Sequence, residues 1–170
     1  VSIGPYAFCS FDSLSSVTIP SSIKRIGEGA FYSCNYLTSV NISNIAAWCN
    51  IDFKDFASNP LYLAFHIYLN GEEIRELVIP DGVTKIGDSA FAFCDGLTSV
   101  SIPNSVTSIG IASFADCYSL TSVSIPNSVT NINQSTFERC SSLTSVTIPS
   151  SVKTISQKAF ADCGKLEEVY

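Results

Sequence analysis

Five cysteines recur along this chain: Cys34, Cys94, Cys117, Cys140 and Cys163. The last four stand 23 residues apart. Recurring cysteines can form disulfides, hold a metal or act as nucleophiles. A metal needs ligands that converge on one point, whereas a long fixed step lines ligands up along an axis. The total of seven cysteines is odd, so they cannot all pair within one chain. Side chains stacked one strand spacing apart and pointing the same way also miss the ~3.8 Å Cβ separation of a disulfide. The spacing therefore predicts buried free thiols that act as small apolar fillers. Cys9 and Cys49 fall outside the series. Cys9, beside Phe8, is the candidate exposed thiol.

Other reactive residues do not assemble into a catalytic pattern. His66 is the single histidine and has no cysteine or carboxylate at ligand spacing. The acid pairs Glu72/Glu73 and Glu167/Glu168 are adjacent in sequence, the wrong arrangement for two groups flanking a substrate bond; solvated faces account for them. Nucleophile-elbow, zinc-protease, phosphate-loop and dinucleotide motifs are missing. Two glycosylation-type triplets, at 41–43 and 133–135, carry no weight on their own. The expectation is no catalysis, no metal and no cofactor.

Composition narrows the class further. Hydrophobic residues make up 46% of 170 and charged residues 14%, too apolar for disorder and too uncharged for a coiled coil. The net charge of −6, without a basic cluster, argues against nucleic acid and anionic membrane as partners. No apolar run reaches the ~18 residues of a membrane-spanning helix.

The elements that place the cysteines follow from a 23-residue repeat, I-G-x-x-A-F-x-x-C-x-x-L-x-x-V-x-I-P-x-x-V-x-x. Units start at Ile3, Ile26, Ile86, Ile109, Ile132 and Ile155, with a degenerate unit starting near 63. That unit puts Ile74 in the Leu position and Leu77 in the Val position. The 60 residues between Ile26 and Ile86 hold 14 more than two units need, which marks an irregular insertion over about 43–73. Val-x-Ile alternates as a short strand with one buried face, and the proline after it ends the strand. The segment A-F-x-x-C-x-x-L has helical spacing and predicts one or two helical turns. Stacked units would pair their strands in parallel about 4.8 Å apart. One internal ladder would be Phe8, Phe31, Phe91, Phe114, Phe137 and Phe160, beside the cysteine ladder. Residues 1–170 thus read as a single solenoid domain, cut in mid-repeat at both ends.

This repeat resembles the BspA-type leucine-rich repeat, the 23-residue class also described from treponemes and common in surface proteins of anaerobic and gut bacteria. The motif A-F-x-x-C-x-x-L-x-x-V-x-I-P-x-x-V covers about four fifths of the chain. Phe11 departs from it in place of Cys, Asn133 and Ser156 in place of Gly, and Ser43 in place of Pro. The resemblance implies a curved right-handed α/β solenoid, with a short parallel strand per unit on one face and short helices or turns on the other. It also implies export to the cell surface or secretion and, for some members, adhesion to host matrix protein.

Two surfaces are candidates for binding. The outward strand positions are Ser16, Thr18, Ser39, Asn41, Glu76, Val78, Ser99, Ser101, Ser122, Ser124, Ser145 and Thr147. They form a hydroxyl-rich face without the Trp, Tyr and Arg that anchor tight interfaces. It suits weak, extended, multivalent contact with protein or glycan, or else simply keeps the sheet soluble. The insertion gathers Trp48, Phe53, Phe56, Tyr62 and Tyr68, either as a protruding aromatic contact site or as a plug for the interrupted stack. The functional expectation is a non-catalytic binding module, with host protein or glycan as ligand. The rivals are a stalk that presents another domain and an intracellular interaction scaffold.

Overall fold

A computed structural model describes all of residues 1–170. The chain winds as a solenoid of parallel strands, about seven coils long, in which each coil meets the next. One face carries β2 (Ser16–Ile19), β4 (Ser39–Ile42), β6 (Ile67–Leu69), β7 (Glu72–Glu73), β8 (Glu76–Val78), β10 (Ser99–Ser101), β12 (Ser122–Ser124), β14 (Ser145–Thr147) and β16 (Glu168–Val169). Two-residue strands form a second row: β1 (Ser2–Ile3), β3 (Arg25–Ile26), β5 (Asp52–Phe53), β9 (Lys85–Ile86), β11 (Ser108–Ile109), β13 (Asn131–Ile132) and β15 (Thr154–Ile155). Val100 pairs with Val123 and Val123 with Val146, so the register step is the 23 residues of the repeat.

The buried side chains form one continuous core along the axis. Stacked rings run through it: Phe91–Phe114 and Phe114–Phe137 at 5.6 Å and Phe137–Phe160 at 5.4 Å. Phe8 and Phe31 stack at 5.3 Å. The phenylalanine ladder is therefore two segments rather than the single run expected, because the coil between Phe31 and Phe91 carries no phenylalanine at that position.

That coil is readable once its start is found. Ile26 pairs with Phe53 and Val40 with Ile67, both steps of 27. The coil thus begins at Phe53, ten residues before the expected 63, and runs in register through Leu69. Ser58 takes the Phe position, Leu61 the Cys position and Ala64 the Leu position, all three buried. Trp48, which precedes this coil, is 1% exposed. Its indole packs edge-to-face on Phe53 at 5.3 Å and donates from Nε1 to the Ala90 carbonyl at 2.7 Å. Trp48 ends a short helix, α1 (Ile45–Trp48), whose N-terminus is capped by Asn44 accepting from the Ala47 N–H. Four extra residues therefore lie between Ile26 and Phe53. The other ten lie between Phe53 and Ile86, where β6 turns back through Asn70-Gly71 into antiparallel β7. Leu77 then pairs with Val100, as its repeat position requires.

The A-F-x-x-C segments are turns, not the helical turns their spacing predicts. Residues four and eight of most units have left-handed backbone: Ser89 and Phe93, Ala112 and Asp116, Ser135 and Arg139, with φ of 51–66°. These left-handed residues, four apart, go with every second N–H group aimed at the neighbouring coil. Phe91 donates to Ser113, Phe93 to Ala115, Phe114 to Thr136 and Asp116 to Glu138, all at 2.8–2.9 Å. A helix would direct those donors within its own segment, and the bonds between coils would be lost. The periodicity of three is real, but it belongs to consecutive three-residue turns such as Cys94 N–H to Phe91 O. In the irregular coil a 3-10 turn (Phe56–Ser58) and α2 (Leu61–Ala64) replace them.

Candidate binding surfaces

The cysteines settle into the core as a donor row. Cys34, Cys117, Cys140 and Cys163 each donate Sγ–H to the carbonyl of the phenylalanine 26 residues earlier, at 2.9–3.2 Å. Burial pushes the Cys49 and Cys94 thiols up to about 12 and raises Cys117 and Cys140 further. All seven cysteines are free; Cys9 and Cys163 are partly exposed. A thiol fills the position and also satisfies a carbonyl, which composition alone does not reveal.

Threonine has a comparable task that the sequence reading missed. In L-T-S-V, the hydroxyls of Thr38, Thr98, Thr121 and Thr144 donate to the carbonyl 23 residues earlier, at 3.0–3.2 Å. Their invariant offset from the buried Leu was the available signal. Part of the chain's hydroxyl content therefore bonds coil to coil instead of facing a ligand.

The strand face is built as two sheets. β2, β4, β6 and β7 form one, and β8, β10, β12, β14 and β16 form the other. In the second sheet Glu76, Ser99, Ser122, Ser145 and Glu168 lie in one row and Val78, Ser101, Ser124 and Thr147 in another. In the first, Ser16 pairs with Ser39, and Thr18, Asn41 and Tyr68 share a row. The outward residues are exposed or half-exposed around buried Val40, Leu77, Val100, Val123 and Val146. At the seam between the sheets, Glu73 accepts from His66 Nδ1 at 2.7 Å and from Arg75 Nε and Nη2 at 3.1 and 2.8 Å. Gly96 faces this cluster because a Cβ there would lie 2.5 Å from Glu73 Oε1.

The five insertion aromatics do not form one contact site. Trp48 and Phe53 are core residues and are unavailable to a partner. Tyr68 is half-buried on the strand face beside Asn41. Phe56 and Tyr62 are exposed on the turn side, where both stand edge-to-face against Phe93, with ring centres 5.6 and 5.0 Å apart. Sequence order had hidden Phe93 as a partner, because it lies in the next coil.

With this geometry the comparisons with known proteins are direct. A profile for the BspA type leucine rich repeat region matches in six copies over residues 1–61 and 63–170. The chain belongs to this family. Leucine-rich repeats of this kind are generally protein-interaction modules. The leucine rich repeat protein TpLRR of T. pallidum is similar, with 27% identity and a TM-score of 0.57 over 98% of this chain and 72% of that one. A leucine rich cell surface protein of Faecalibacterium prausnitzii shares the fold at 23% identity and TM-score 0.50, over 98% of this chain and 62% of that one. A leucine-rich repeat protein of Eubacterium ventriosum does so at 20% identity and TM-score 0.50, over 99% and 69%. Among curated proteins no match is found. No helix in this repeat protein is long and apolar enough to cross a membrane.

Proposed function

We propose that this repeat protein is the non-catalytic binding module of a cell-surface or secreted protein, and that its strand face takes an extended protein or glycan ligand. One observation carries the reading: Ser99, Ser122 and Ser145, flanked by Ser101, Ser124 and Thr147, present the same polar groups at one repeated spacing on a rigid backbone. A ligand that is itself extended or repetitive meets equivalent groups on each strand, so weak contacts add. The surface is preformed, so little ordering entropy is lost on binding. Family membership supports interaction as the general role, and adhesion to host matrix is the specific version proposed.

The test is capture of immobilised host extracellular-matrix proteins and glycans by the purified domain, repeated with Ser122→Arg/Ser145→Arg. Both serines are on the outward face, so the substitutions block it without touching the core. Saturable capture that the pair reduces at least about tenfold supports the reading. Capture unchanged by the pair, or none, removes the strand face as the site and favours a stalk that presents another domain.

A further inference from the structure

The turn side holds a second, differently built surface. Phe56 and Tyr62 of the third coil and Phe93 of the fourth close one end of a groove of ≈ 340 Å³ that continues across the fifth and sixth coils. That volume is at the lower end of the ~300–1,000 Å³ range of small-ligand clefts. The groove arises from register. Phe93, Asp116 and Arg139 occupy position eight of successive units and form one wall. Between this wall and Gln134 the positions hold Ala112 and Ala115, whose small buried side chains leave a depression.

The polar wall is prearranged and electrically balanced. Arg139 donates from Nε to Asp116 Oδ1 at 2.6 Å and from Nη2 to Oδ2 at 2.9 Å. The Asp116 side chain is 4% exposed and also accepts from the Tyr118 hydroxyl at 2.8 Å. Glu138 is paired with Lys158 at 3.4 Å. Every charge in the wall already has a partner, so an ionic ligand finds no uncompensated opposite charge. Arg139 spends two of its five N–H donors on Asp116, and the rest remain for neutral acceptors. The Gln134 carboxamide, on an exposed residue, offers a donor and an acceptor. Beside these groups lie two aromatic residues exposed to water: Phe56 at 51% and Tyr62 at 42%.

We infer that this groove binds a neutral saccharide, with the C–H face of a sugar ring against Phe56 and Tyr62 and its hydroxyls bonded to Arg139 and Gln134. A sugar ring has an apolar face and hydroxyls that donate and accept, and it carries no charge. An aliphatic peptide side chain would cover the rings but leave the spare Arg139 N–H groups and the Gln134 carboxamide without partners. The site is separate from the strand face and does not depend on it.

The experiment titrates the folded domain with neutral gluco-, galacto- and manno-oligosaccharides, read by calorimetry and ligand-observed NMR. At least one binds saturably at up to roughly millimolar Kd. Phe56→Ala and Tyr62→Ala each weaken it about tenfold or more, while Tyr62→Phe, which keeps the ring, retains it. Both residues are exposed, and unchanged thermal unfolding verifies that the fold persists. Ser122→Arg/Ser145→Arg leaves saccharide binding unaltered, which separates this site from the strand-face reading. No saturable neutral sugar, binding confined to charged sugars, or binding indifferent to Phe56 and Tyr62 overturns the inference.

Discussion

At the scale of single residues, type is decided by position in the coil more than by chemistry. A cysteine in this stack is a buried donor to a phenylalanine carbonyl, and its thiolate, the reactive form, is suppressed by desolvation. In the native protein at about pH 8 a thiol reagent should modify Cys9 readily, Cys163 slowly and the other five negligibly; in denaturant all seven should react. Rapid native modification of three or more thiols would contradict the buried row. The fixed step of the cysteines made their place in the core legible in the sequence; the bond to the phenylalanine carbonyl was not. Trp48 was not legible. A lone tryptophan in an irregular segment suits a contact site as well as a plug, and what decides between them is its burial, its packing on Phe53 and its bond to the Ala90 carbonyl. Those partners could not be assigned before the coil's start at Phe53 was known.

At the scale of elements, the strands followed from Val-x-Ile and the terminating proline, but the turns did not follow from their spacing. Helices and successive three-residue turns both place Phe, Cys and Leu on one side. The choice rests on where backbone donors go, and here the neighbouring coil takes them. A sequence carries that preference only weakly, since Ser, Asp, Arg, Ala and Phe all occupy the left-handed positions. The β6–β7 hairpin was legible from Asn70-Gly71, whereas the seam it opens was not. Burial pushes the Glu73 carboxyl up, but hydrogen bonds from His66 and Arg75 outweigh that and hold it below the usual carboxylate range. A carboxylate with a depressed folded pKa stabilises the fold at pH above its unfolded value. That contribution disappears as pH falls through the folded value. Glu73→Gln should therefore flatten the acid limb of stability below about pH 4.5 and have less effect on its slope near pH 7. Equal slopes for both proteins between about pH 5 and 3 would show that the seam cluster is not coupled to folding.

At the scale of the whole molecule, stability is a sum over coils and the interfaces between them. Phe114 is fully buried between the stacked rings of Phe91 and Phe137, whereas Phe8 is half-buried and has a stacked partner on one side only. Phe114→Ala should cost about 3–5 kcal/mol by chemical denaturation, and Phe8→Ala clearly less. Similar costs would mean that position along the stack does not matter. The same additivity explains why the groove and the strand face can be substituted independently: each is a row of side chains on a scaffold fixed by the core.

The serine rows of the strand face and the polar wall of the groove depend on side chains 23 residues apart being neighbours. Nuclear Overhauser spectroscopy of the labelled domain tests this directly. The account predicts backbone contacts Val100–Val123–Val146 in parallel register and ring contacts Phe91–Phe114–Phe137–Phe160. Antiparallel contacts between the Val-x-Ile strands, or phenylalanine rings without contacts at that step, would contradict it.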